Sequence, residues 1–127
     1  MTNATSSRIS GIANVGIPVH STESTLAFYV DTLGFEVRRD ATFGPGLRWV
    51  EVAPSGSSTT IALAPAQGET GGVDTGIRLM TQDVPALHSH LKGSGVDVDA
   101  DILNVPGVPP MFSFRDPEGN TLYIVQL

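Results

Sequence analysis

The sequence predicts an α+β fold in which one β-α-β-β-β unit is used twice. Three observations carry that prediction. The two halves of the chain resemble each other. Each half holds one amphipathic helix pattern with its own start and stop. After each helix the hydrophobic period changes from 3.6 to 2. The first half reads NVGIPVHSTESTLAFYVDTLGFEVRR and the second DTGIRLMTQDVPALHSHLKGSGVDVD. Each begins with a short alternating strand carrying a Gly-Ile pair, Gly16-Ile17 and Gly76-Ile77.

Both helices are signalled locally. In the first, Ser21 or Thr22 can accept from the free N–H groups, and Glu23 lies near the positive end of the helix dipole. Leu26, Tyr29, Val30 and Leu33 form an apolar stripe, and Gly34 suits the left-handed position that ends a helix. In the second, Asp83 reads as the N-cap and Pro85 is tolerated in the first turn. Val84, Leu87 and Leu91 mark its apolar face, and Gly93 or Gly95 ends it. Strands are expected at Phe35–Arg39, Leu47–Ala53 and Thr59–Ala64, then at Val96–Asp101, Met111–Phe114 and Thr121–Gln126. The segments FGPG, PSGSS and VPGVPP between them are turn chemistry. PAQGETGG, from Pro65 to Gly72, reads as the linker, so residues 8–127 form one domain made of modules 8–65 and 72–127. Residues 1–7 read as a short disordered tail.

Bulk properties narrow the function. The chain has 127 residues, enough for one domain with a core of its own. No apolar run approaches the ~20 residues that span a bilayer, and the polar start MTNATSSRIS lacks a secretory apolar segment. Thirteen acids face seven bases, a net charge of −6 that repels phosphate backbones and mildly favours neutral or cationic ligands. There is no cysteine, which removes disulfides, thiolate nucleophiles and thiolate-held metals. A cytoplasmic protein with no membrane or nucleic-acid partner is expected.

The stretches NVGIPVHSTESTLAFYVDTLGF and FRDPEGNTLYIV carry a resemblance. The first is a strand followed by a helix ending in FY…LGF; the second is a DP-x-GN turn and closing strand. Together with the doubled unit they are similar to the vicinal oxygen chelate superfamily, which includes glyoxalase I, bleomycin-resistance proteins and extradiol dioxygenases. The resemblance covers Ile9 to Leu127. It implies the glyoxalase/bleomycin resistance/dihydroxybiphenyl dioxygenase fold, two curled mixed sheets forming a cup with the helices on its back. It also implies a homodimer. Metal-dependent members place one ligand near the start of each module and one on each closing strand. Carried over by position, these sites fall on Asn14, Ala62, Gly76 and Tyr123, with Asp74 in place of Gly76 after a two-residue slip. Ala and Gly bring no donor atom, and Asn and Tyr are poor ligands beside imidazole or carboxylate. No metal and no cofactor are therefore expected.

Alternation identifies the cup face without the family. Val15, Ile17 and Val19, Ile61 and Leu63, Ile77 and Leu79, and Leu122 and Ile124 share the side that packs on helices. The opposite side carries Asn14, Trp49, Glu51, Arg78, Met80, Met111, Ser113 and Tyr123. A mostly apolar lining with a few polar groups suits a small molecule, and Asn14, Trp49, Glu51, Arg78, Met111 and Tyr123 are the expected ligand-binding residues. Each has a plainer reading: Tyr123 as filler, Trp49 as core, Asn14 as a local backbone partner, Arg78 as a solvated residue or the partner of Glu51. His20 is expected exposed at the start of the helix. His88 and His90 point to different sides of theirs and cannot grip one metal. The function expected is a metal-free small-molecule binding protein. The alternatives are a lyase- or dioxygenase-like enzyme using Glu51 or Tyr123 as acid or base or holding a metal by unusual ligands, and a dimeric scaffold.

Overall fold

The computed structural model describes residues 7–68 and 72–127. Most of the expected tail and residues 69–71 of the expected linker lie outside these residues. The first module comprises β1 (Asn14–Val19), α1 (Thr22–Ala27) continued by a π-turn (Phe28–Thr32), β2 (Glu36–Thr42), β3 (Arg48–Ala53) and β4 (Thr60–Pro65). The second comprises β5 (Asp74–Thr81), α2 (Val84–Gly93), β6 (Asp97–Val98), β7 (Met111–Arg115) and β8 (Thr121–Gln126). Each module is one four-stranded mixed sheet, ordered β1-β4-β3-β2 and β5-β8-β7-β6. In both, the first and last strands pair parallel and the others antiparallel. A right-handed crossover through a helix is the usual way to join two parallel neighbours, so the repeated β-α-β-β-β pattern dictates this order twice.

The helix signals act as read. Ser21 and Asp83 are the N-caps, accepting from Ser24 N and Ala86 N. Gly34 and Gly95 follow the helix ends with positive φ. The first helix departs from its expected period at Phe28, where Leu33 N–H reaches back to Phe28 O across a π-turn. Tyr29 is fully buried, and Thr25, four residues earlier on the same face, is buried with it.

Alternation sorts the strands. Ile17, Val19, Val50, Val52, Leu63, Phe112, Phe114 and Leu122 are all nearly inaccessible and form one core shared by the two modules. Each such side chain contributes roughly 1.5–3 kcal/mol on burial. Strand boundaries moved where bulges intervene. Val37 pairs with Val52 but Arg39 with Glu51, so Arg38 is an inserted residue. The expected Val96–Asp101 strand reduces to two residues and an isolated Leu103–Met111 bridge. Asp99 leaves the ladder because its carboxylate accepts from Ser113 N and Oγ.

A buried polar knot fastens the modules. Asp116, in the turn before β8, accepts from Tyr29 Oη at 3.0 Å, from Glu118 N at 2.9 Å, and from Asn120 N and Nδ2 at 3.0 and 3.2 Å. Asn120, fully buried, gives its other amide hydrogen to Pro18 O and accepts from Val73 N. Burial, with the Asp116 charge behind it, pushes the Tyr29 hydroxyl far above its ordinary range, so it stays a donor. Beside the knot Glu118 accepts from Ser21 N, and His20, half-exposed, lies between Glu118 and Gly68 O.

Two substitutions test this packing in opposite directions. A Cβ on Gly72 would lie 2.1 Å from Gly119 O, and its φ is +92°. Gly72→Ala is expected to lose stability by ~1–3 kcal/mol from overpacking, with backbone strain added. Thr25 Oγ1 is buried without a hydrogen-bond partner, so Thr25→Val is expected to gain roughly 1 kcal/mol. Thermal melts read both: one midpoint falls and the other rises by a few degrees.

Candidate functional site

The faces opposite the helices carry two separate polar groups, one per module. On the first, Glu51 stands mid-sheet with Ala62 opposite it on β4 and Arg39 opposite it on β2. Its Oε1 accepts from Thr60 Oγ1 and its Oε2 from Trp49 Nε1, both at 2.7 Å. Residues i and i+2 of a strand share a face, so the Trp49–Glu51 bond follows directly from the sequence. It also fixes the indole by its polar edge. The Thr60 hydroxyl, then the Trp49 N–H, hold the Glu51 carboxyl below its usual range. A general base working near neutrality is favoured by the opposite shift; here the carboxylate serves as hydrogen-bond acceptor for Trp49 and Thr60. Asn14 is exposed and pairs in register with Thr60.

On the second module Asp74 pairs with Thr121 and Arg78 with Tyr123. Four steps on β5 thus match two on β8. Gly76 absorbs the excess with φ +69°, and its N–H bonds Asp74 Oδ1. The bulge brings Asp74, not Gly76, to Tyr123, whose hydroxyl donates to Asp74 Oδ2 at 2.7 Å. That bond is the main reason the Asp74 carboxyl sits below its ordinary range and the Tyr123 hydroxyl above its own. The Arg78 guanidinium lies over the Tyr123 ring, 4.9 Å from its centre, and donates to Gly76 O. Arg78 does not pair with Glu51. Met111 lies beside Val125, one register step from the Ser113–Tyr123 pair.

Among the described residues no hydrogen bond or ion pair joins the first group to the second. A cleft of about 650 Å³ runs between the modules, walled by residues 54–61, the half-buried Val15, Ile77 and Leu79, and the exposed Arg78 and Met80. Of the six expected ligand-binding residues only Arg78 borders it. Sequence reasoning missed Thr60 and Arg39 as partners of Glu51. Strand register places both, and no pattern within one strand encodes it.

The four positions of the resemblance do not fit a divalent metal. Ala62 is fully buried and donor-free, Asn14 and Tyr123 are weak ligands, and the one carboxylate, Asp74, already accepts two hydrogen bonds. Among the described residues no three His, Asp or Glu side chains cluster as a metal would need. His88 is buried edge-on against Phe112 and bonded to Asp99 O, while His90 is exposed.

Comparison with known proteins agrees with this architecture. A sequence profile of the Glyoxalase/Bleomycin resistance protein/Dioxygenase superfamily matches residues 11–124. The chain belongs to that superfamily. It is similar to a superfamily member from Sphaerobacter thermophilus DSM 20745, with 33% identity, TM-score 0.87, and 94% of this chain and 98% of that one covered. It is also similar to TnmS3, an antibiotic binding protein from Streptomyces sp. CB03234, with 33% identity, TM-score 0.84, and 95% and 98% covered. YetH of Bacillus subtilis (strain 168) is 25% identical over 121 residues, covering 91% of this chain and 98% of YetH.

Glu51 gives a pH signature. Its folded-state pKa lies below the unfolded value of about 4.3, so its contribution is complete above that pH and fades as pH falls through the lower folded value. Denaturant midpoints are expected to drop less steeply below pH ~4 in Glu51→Gln than in the parent, with parallel curves above pH ~5. A Glu51-dependent inflection between pH ~6 and 7 would instead reveal a raised, base-like carboxyl.

Proposed function

We propose that this chain is a small-molecule binding protein that works without a metal and holds a partly aromatic ligand in a cup. Trp49, pinned through Glu51 and Thr60, supplies a rigid stacking surface. Arg78 and Tyr123 supply a polar anchor on the other module. The observation that carries the reading is that fixed indole beside metal positions whose only strong ligand, the Asp74 carboxylate, is already engaged by Tyr123 and Gly76. The 33% identity to an antibiotic-binding protein over nearly the full chain supports it.

The two polar groups do not meet within one chain, and we infer that a second copy completes the cup. β1 and β5 each end their sheet with an unpaired edge. Near those edges Ile9, Ile12 and Val73 are exposed, at 80%, 69% and 43%. Open edges flanked by apolar side chains are the surface that a two-fold partner would cover. The cup is then built from the first module of one protomer and the second of its partner.

A thermal-shift screen with polycyclic aromatic antibiotics on one arm and Ni²⁺ and Zn²⁺ on the other tests this. A ligand at about 100 times its Kd adds ~2.7 kcal/mol, so an aromatic hit is expected to raise the midpoint by several degrees and metals to leave it unchanged. Trp49→Ala is expected to weaken the hit roughly tenfold or more. Sedimentation of the loaded protein is expected at the dimer mass. Stabilisation by the metals alone would overturn the proposal.

A further inference from the structure

We propose that Arg78 selects the ligand, by taking a planar oxyanion, an aromatic carboxylate or its equivalent, whose ring lies toward Met80 and Met111. The inference rests on the binding reading above and names the chemistry that its second-module face addresses. The other sheet arginines differ in how they spend their donors. Arg38 bonds Glu36, Ser57 O and Pro54 O. Arg48 is held by Asp40 and Glu23. Arg115 bonds Asp97, Asp99 and Ser113. Arg39 lowers the Glu51 pKa by its charge but has no hydrogen bond fixing it among the described residues.

Arg78 alone among these is both oriented and open. Tyr123 supports one face of its guanidinium, and one N–H goes to Gly76 O. A guanidinium carries five N–H donors, so four remain. Among the described residues no carboxylate forms an ion pair with it. Asp74 is close enough to feel its charge, but its two oxygens are engaged by Tyr123 and Gly76. The arrangement therefore presents a preorganised fork rather than a completed salt bridge. Forks of this kind bind two oxygens of one planar group in parallel.

Register supplies the rest of the ligand's outline. The row Arg78–Tyr123–Ser113 is followed one same-face step along by Met80–Val125–Met111, with Leu103 paired to Met111. Same-face neighbours along a strand are ~6.5–7 Å apart. A ligand whose acidic edge meets Arg78 thus lays its ring over Met80, Val125 and Met111. The net charge of −6 does not decide the matter, because salt screens distant charges beyond ~8–10 Å while the guanidinium acts in contact.

The test uses matched probes, 2-naphthoate and 2-naphthalenemethanol, titrated calorimetrically into the full chain, Arg78→Gln and Arg78→Lys. The parent is expected to prefer the carboxylate by about tenfold. Arg78→Gln should erase that preference, bringing the ratio of the two Kd values to about one, and Arg78→Lys should restore part of it. An unchanged melting midpoint would show that the variants remain folded. Equal affinities for the two probes in the parent, still sensitive to Trp49→Ala, would overturn the role of Arg78 and leave the binding reading standing. A preference that survives Arg78→Gln would also overturn it. Binding of neither probe would overturn both.

Discussion

The Asp116 carboxylate is the constraint on which the rest of the structure depends. A charge with only 5% of its residue surface exposed is costly unless every lone pair is used, and four donors meet this one. One comes from Tyr29, 87 residues away on the first module's helix. The others come from its own turn and from Asn120, which reaches on to Pro18 of β1 and Val73 before β5. A single buried acid thus sets the turn that launches β8 and ties it to the opposite module. The knot sits on the helix side of both sheets. The helix-side core is thereby shared between modules, while their opposite faces remain free for other work.

That division lets the faces opposite the helices vary while the core is kept. The knot makes no hydrogen bond to Asn14, Asp74 or Tyr123. Those three stand on faces whose strands are already held in register, while Ala62 is itself buried. On the proposed reading the first module offers an indole steadied by Glu51, and the second a guanidinium steadied by the Tyr123 ring, which Asp74 holds in turn. Glu51 and Asp74 are held ionised by hydrogen bonds from a hydroxyl and an N–H. They act as supports that fix Trp49 and Tyr123.

Much of this was legible in the residues. Helix caps at Ser21 and Asp83, the terminating Gly34, and the strand parity that buries Ile17 and Leu122 all follow from local rules. One part that was not legible comes from a bulge: an inserted residue at Arg38 brings Arg39 opposite Glu51. The two-residue slip that the sequence leaves open, Asp74 for Gly76 beside Tyr123, is realised by the Gly76 bulge. Bulges change which side chains face one another without changing the alternation on either side, so pattern reading passes over them. Thr25, four residues before the buried Tyr29, shares its face and is buried with it, although its polarity kept it out of the apolar stripe. The grouping of Glu51 with Thr60 needed strand register, a non-local property.

The central claim is that these faces grip an organic molecule through side chains alone. The most direct measurement is the equilibrium Kd of an aromatic ligand found by screening, determined first with EDTA in excess and then with Mn²⁺, Ni²⁺ or Zn²⁺ restored. The account predicts one stoichiometric Kd that is the same in all conditions. Binding that vanishes in the chelator and returns with a metal would contradict it.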